Sequence, residues 1–257
     1  MNHYLTEFNR LLNLYAYKYH TIEVFRDFCR SVAISLSSPF YSYQFEAEYK
    51  SIMQRYEKKE QDIFPKMLTV LVQALEKEPY DFLGEAFMSN DMGSSYKGQY
   101  FTPQAVSDLT ALMGANDLFQ LLDTKEYVTL SEPACGAGSM IIALVKVFIE
   151  KGLNHSRQLY VEAKDIDALC ADMTYIQLSL LGVSATVIWG DTLANTTNRA
   201  LKTPVYFLEQ WGERLKDDKA NQNRIFTEAI LDVMRNGSEH SNDVCITQSF
   251  YPKAESF

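Results

Sequence analysis

SEPACGAGSM, residues 131–140, lies between a short apolar run, Tyr127–Leu130, and an apolar stretch of helical character, Ser139–Ile149. Glycine at 136 and 138 lets the backbone turn tightly and lets a ligand approach the main chain closely. The first N–H groups of the helix that follows have no partner inside it, which suits a carboxylate or another polar group. Alone, the segment reads equally well as a tight strand-to-helix turn, so its neighbours must decide.

Downstream, strand and helix patterns alternate. Leu159–Ala163 reads as a second strand, and Asp167–Leu181 as a helix with Leu169, Met173, Ile176 and Leu180 on one face. Ala185–Trp189 reads as a third strand. This β-α-β-α-β order predicts a parallel sheet, the mononucleotide-binding half of a doubly wound fold. Two acids fall at carboxyl ends of these strands. Asp165 is placed to accept both hydroxyls of a ribose, and Asp191 in WGDTL to accept from an adenine amino group. Either acid alone reads as a helix cap or a solvated loop carboxylate. Loop and acids together, each at a strand's carboxyl end, point to a nucleoside-bearing ligand.

Upstream, residues 1–90 read as a helical domain, and 91–257 as the cofactor-binding domain. LLNLYAYKYHTIEVFRDFCRSVAISL, FEAEYKSIMQRYEKKEQDIF and MLTVLVQALEK carry apolar residues at helical spacing, the last stopped by Pro79. Their Tyr and Phe residues read as core. NDMGSSYKGQYFTP is a Gly- and Ser-containing loop, followed by a helix over Gln104–Met113. Beyond Asp191, TPVYFLEQWGERL reads as a turn and a helix, RIFTEAILDVM as a helix and VCIT as a short strand. Only 66 residues of the 257 follow Asp191. A strand-crossover unit takes roughly 30, so the sheet is expected to be incomplete.

The bulk properties narrow the function classes. Hydrophobic residues make up 47% and charged residues 22%, an ordinary globular balance. A net charge of −9 argues against a free-standing nucleic-acid binder, and is compatible with a partner subunit that supplies DNA contacts. His3, His20, His155 and His240 are dispersed, so no metal site is expected. Cys29, Cys135, Cys170 and Cys245 are scattered, MNHYLTEFNR lacks a leader pattern, and no apolar run approaches the roughly 20 residues of a membrane helix. A cytoplasmic protein without a membrane partner is the expectation.

GQYFTP, EPACGAGSM, KDID with a helix ending LLG, and WGDTL, in that order, resemble the N6-adenine DNA methylase family, which includes modification subunits of type I restriction systems. The resemblance spans about residues 80–195. DFLGEAFMSNDMGSSYKGQYFTP and TPVYFLEQW also resemble a short, single-domain branch found on plasmids and phages. The resemblance implies a Rossmann-like α/β methyltransferase sheet with S-adenosylmethionine as cofactor and DNA as partner. By position it implies that Glu132, Cys135, Gly136 and Gly138 surround the methionine part of the cofactor. It gives Asp165 to the ribose, with Asp167 beside it, and Asp191 to the adenine, with Thr192 beside it. It implies that Tyr100, Phe101 and Thr102, before Pro103, close over the cofactor. Phe101 reads equally as core, and Thr102 also as a helix cap.

One part of the family pattern is absent. Adenine methylases of this kind carry Asn-Pro-Pro-Tyr or Asn-Pro-Pro-Phe, whose oxygens accept from the adenine amino group while the ring stacks on the flipped base. No Pro-Pro occurs here. TPVYF offers Tyr206, with no apolar strand read before it. DVCITQSFY offers Gln248 and Tyr251 after one. Two functions therefore stand: a DNA adenine methyltransferase, alone or with a partner chain in a homo- or hetero-oligomer, and a catalytically silent cofactor-binding relative acting as a partner subunit or antirestriction-like factor. Methylation of another substrate, RNA or protein, is a third and weaker reading.

Overall fold

A computed structural model describes residues 3–41, 45–90, 92 and 104–217. Six helices come first: α1 (His3–Asn13), α2 (Thr21–Tyr41), α3 (Glu46–Met53), α4 (Lys58–Gln61), α5 (Ile63–Lys77) and α6 (Phe82–Ser89). α5 stops at Lys77 because Glu78 is extended ahead of Pro79, as a residue preceding proline prefers. Asp81 caps α6, accepting from the Gly84 N–H. Next come α7 (Gln104–Leu122), β1 (Val128–Glu132), α8 (Ser139–Glu150), α9 (His155–Gln158), β2 (Leu159–Asp165), α10 (Ala168–Leu180) and β3 (Ser184–Trp189). β4 (Arg199–Lys202) and α11 (Pro204–Leu208) follow.

The strand order among the described residues is β1-β2-β3-β4. β1, β2 and β3 are parallel, in register from Val128↔Leu159 and Tyr160↔Ser184, so their carboxyl ends align. That is the half-sheet the sequence predicts. β4 departs from it: this strand, absent from the sequence reading, runs antiparallel to β3, with Thr186 opposite Lys202 and Trp189 opposite Arg199. Its four residues, RALK, bury only Leu201, too short a pattern to stand out. So a strand does precede TPVYF, but it runs the other way.

The helices before residue 90 and the sheet share one hydrophobic core. Phe8, Phe25, Phe28, Phe82 and Phe87 are fully buried in it, beside Ile141, Phe148 and Met173. α2 lies along α10, and residues 1–212 form a single compact unit. Residue 90 therefore marks a change of sequence pattern rather than a seam in packing. Among the described residues, no helix is long and apolar enough to cross a membrane.

YAYKYH, between α1 and α2, is pinned by one carboxylate. Tyr17 donates to Glu60 Oε1 and Tyr19 to Glu60 Oε2, while the Tyr15 hydroxyl donates to the Glu60 carbonyl at 2.6 Å. The Glu57 N–H closes the capping box on Glu60 at 2.7 Å. Burial opposes the charge on Glu60, but the bonds from Tyr17, Glu57 and Tyr19 and the Lys18 ammonium outweigh it, holding the carboxyl at about 2. An unfolded glutamate titrates at about 4.3. The folded value is depressed, so this carboxylate's stabilisation is present above that pH and is lost as pH falls toward 2. Glu60→Gln should therefore lower the melting temperature at pH 7, with the gap to wild type closing between about pH 4 and pH 2.5. A gap that stays constant across a circular-dichroism pH series would rule out this linkage.

Candidate cofactor site

The carboxyl ends of β1, β2 and β3 carry the site. After β1 the chain enters the glycine loop, where Gly136 has φ 56° and Gly138 φ 95°. Both angles lie in the left-handed region that side chains resist. A Cβ on Gly138 would also stand 3.2 Å from Thr174 Oγ1. Gly138 is the N-cap of α8 and offers no side-chain oxygen, so the first N–H groups of that helix lack a side-chain cap.

Asp165 ties the loop to β2. Its Oδ2 accepts from the Gly136 N–H at 2.9 Å and its Oδ1 from the Asp167 N–H at 2.8 Å. Burial pushes its carboxyl above the ordinary value, and those N–H bonds pull it back in part. Asp165 is therefore first a clamp on the loop, with lone pairs left on each oxygen for a ligand. Asp167 takes the bland role, capping α10 through the Leu169 N–H at 2.8 Å. Cys135 is buried, which pushes its thiol up to about 12, so it packs as a small apolar group. Glu132 curls back on its own turn, accepting from the Ala134 N–H at 3.2 Å.

The loop after β3 closes the third side. Gly190 donates to the Asp165 carbonyl at 2.9 Å, and a Cβ there would lie 2.1 Å from the Thr196 carbonyl oxygen, so only glycine fits. Asp191 Oδ1 accepts from the N–H groups of Leu193 and Ala194, leaving Oδ2 without a partner among the described residues. Thr192 donates across to the Pro133 carbonyl at 2.6 Å, joining the third loop to the first. Ile166 and Leu193 stand 66% and 99% exposed beside these acids, aliphatic side chains that the fold itself leaves uncovered.

Glu132, Cys135, Gly136, Gly138, Asp165, Asp191 and Thr192 thus meet at one end of the sheet. Tyr206 does not join them. Its ring packs 6.1 Å from that of Tyr160 at the amino end of β2, and its hydroxyl accepts from Lys202 Nζ at 3.0 Å. Five residues of strand, about 16 Å, separate Tyr160 from Asp165. The antiparallel direction of β4 carries the chain to the wrong end of the sheet, so Tyr206 is removed from the candidate base-holding residues. Tyr100, Phe101, Thr102, Gln248 and Tyr251 lie outside the described residues.

Four contributors were missed in the sequence. Thr174 donates to the Gly136 carbonyl at 2.8 Å and Gln177, one turn on, to the Ala137 carbonyl at 2.8 Å. The Trp189 indole N–H holds the Ile166 carbonyl at 3.1 Å, and in sequence Gly190 stands out only as part of WGDTL. The local signal for the first pair is two polar residues at i, i+3, with Gln177 four residues after Met173 on the face that Leu169, Met173, Ile176 and Leu180 mark as apolar.

Comparison with known proteins bears on this geometry. Residues 77–243 match the N-6 DNA methylase family. The chain belongs to that family. Every motif of the site among the described residues lies within the matched span. A solved structure from Listeria monocytogenes, described as a provisional class I S-adenosylmethionine-dependent methyltransferase, overlays with a TM-score of 0.45 at 13% identity. The overlay covers 76% of this chain and 56% of that one, so the chain spans little more than half of that protein's length. No curated protein matches the chain.

Proposed function

We propose that this N-6 DNA methylase family member binds S-adenosylmethionine and forms the cofactor-holding part of a DNA methyltransferase acting on the exocyclic amino group of adenine. The observation that carries the reading is the joining of three strand-end loops by Gly136–Asp165 and Thr192–Pro133 around glycines that have no room for a side chain. The residues fit an adenosyl amino acid. The α8 N-terminus suits its carboxylate, Asp165 its ribose hydroxyls and Asp191 Oδ2 its adenine amino group. Ile166 and Leu193 offer aliphatic cover for the faces of the base. When bound, the cofactor supplies a methyl group on a positively charged sulfur.

The target base needs acceptors for its amino protons, and the chain has no Asn-Pro-Pro-aromatic motif to provide them. That absence and the net charge of −9 favour a partner chain that contributes base-holding residues and the DNA contacts. They equally favour the second reading, a cofactor-binding relative with no chemistry of its own. A cytoplasmic, restriction-modification setting belongs to the first reading.

Calorimetry with S-adenosylmethionine tests the cofactor, and a turnover assay with labelled cofactor and mixed-sequence DNA, single- and double-stranded, tests the chemistry. The expected result is binding, with N6-methyladenine formed slowly or not at all by the isolated chain. Losing one preorganised partner at a reacting centre costs about 10²–10³ in rate, and a whole motif more. No binding by wild type sinks the cofactor reading. Rapid methylation by the isolated chain sinks the dependence on a partner, and its loss in Gln248→Ala or Tyr251→Ala would identify a degenerate base-holding motif in this chain.

A further inference from the structure

Gln177 is fully buried on α10, and three of its four hydrogen-bonding valences are used, both N–H donors among them. Its Nε2 donates to Asp81 Oδ1 at 2.9 Å and to the Ala137 carbonyl at 2.8 Å, and its Oε1 accepts from the Leu83 N–H at 3.1 Å. A flipped amide would set oxygen against both acceptors, so the orientation is fixed. Asp81 is 5% exposed and also accepts from the Gly84 N–H at 2.9 Å. A Cβ on Gly84 would fall 2.1 Å from Asp81 Oδ2, so a side chain there would displace the carboxylate from its place beside Gln177. The Asp81 N–H donates to Gln104 Oε1 at 3.3 Å, at the opening of α7.

One amide therefore ties the start of α6 to the glycine loop, and the Asp81 main chain extends the link to the start of α7. A packed helix needs no such hub, because an apolar side chain would fill the same place without demanding three partners. What the hub adds is direction. Thr174 and Gln177 pin the successive carbonyls of Gly136 and Ala137 toward α10. Because a trans peptide holds its N–H opposite its C=O, the Ala137 N–H is turned away from α10.

We propose that Gln177, held by Asp81, is a positioning residue that sets the glycine loop for the amino-acid end of the cofactor, making residues 81–84 of the N-terminal helices part of the cofactor site. This rests on the cofactor assignment above. The N-terminal helices thereby gain a task beyond core packing.

The test compares S-adenosylhomocysteine with adenosine by calorimetry. Adenosine uses the Asp165 and Asp191 side of the site but lacks the amino-acid end. Two variants are needed. Gln177→Met keeps the volume and removes all three hydrogen bonds of the amide. The double variant Asp81→Asn/Gln177→Glu reverses the donor and acceptor between α6 and α10 and keeps the net charge, yet leaves the Ala137 carbonyl without its donor. It therefore preserves the link between helices if Gln177→Met fails to fold. Each folded variant should lose about tenfold in S-adenosylhomocysteine affinity, the scale of one buried hydrogen bond, with adenosine affinity within about twofold of wild type. A parallel fall for both ligands, or no fall for either, overturns the proposal. Wild type that binds neither ligand overturns the cofactor assignment, and this inference with it.

Discussion

Asp165→Ala should weaken S-adenosylmethionine binding by about a hundredfold or more, and Asp191→Ala by about tenfold. The two acids look equivalent in sequence and are not equivalent in the fold. Asp165 is 9% exposed, holds the Gly136 N–H and the Asp167 N–H, and has lone pairs to spare for a ribose. Removing it deletes the ligand bonds and also frees the loop that receives the rest of the cofactor. Hydrogen bonds to a charged group contribute about 1.5–3 kcal/mol each, so the two losses compound. Asp191 stands in a mostly exposed loop and supports only its own turn. Asp165→Asn should be nearly as damaging as Asp165→Ala, since its amide NH₂ would face a backbone N–H, donor against donor. The pH dependence follows from the same geometry. Burial places the Asp165 carboxyl above its ordinary value, and ribose hydroxyls donate to its charged form. Protonation opposes binding, so affinity should fall as pH falls through that raised value. Calorimetry on the three variants decides: Asp165→Ala within threefold of wild type would remove Asp165 from the site.

The difference between the two acids shows where sequence reading stops. Strand-end position is visible in the alternation of apolar runs, and it placed Gly136, Gly138, Asp165 and Asp191 at the same end of a parallel sheet. Burial and backbone partners are long-range facts. Nothing near KDID announces that Asp165 will reach 29 residues back to Gly136. Strand pairing is also long-range: RALK shows no strand pattern of its own, and only its antiparallel pairing with β3 places Tyr206 at the far end of the sheet. The hub around Gln177 joins residues 96 positions apart. Its only local trace is a polar residue where the helical period calls for an apolar one. The change of composition at residue 90 was real as pattern, but core continuity depends on which faces meet, and α2 meets α10.

That meeting carries a large expected effect on stability. Asp172 on α10 is 3% exposed and lies between two guanidiniums, Arg30 of α2 and Arg199 of β4. Arg30 is 6% exposed and is also held by Glu48 of α3, through Nε at 2.7 Å and Nη2 at 2.6 Å. The cluster therefore stitches α2, α3, α10 and β4 with two positive and two negative charges. Asp172→Ala removes one anion from the middle and leaves two largely buried cations facing each other, with only Glu48 to balance them. Breaking a buried pair in this way costs about 3–5 kcal/mol, whereas replacing the whole set by apolar residues of similar volume costs little. Arg199→Ala should cost less, because its side chain is 14% exposed and Arg30 remains to neutralise Asp172. The triple change Arg30→Met, Asp172→Leu and Arg199→Met should recover most of the loss, with Glu48 released to solvent, toward which its side chain is already 45% exposed. The consequence reaches the site as well. Arg199 lies over the Trp189 ring at 5.4 Å, and that indole holds the Ile166 carbonyl beside Asp165. Urea denaturation of the single and triple variants separates the contributions. A loss below about 1 kcal/mol for Asp172→Ala, or a triple variant no more stable than the single, would show that these charges are solvated rather than buried against one another.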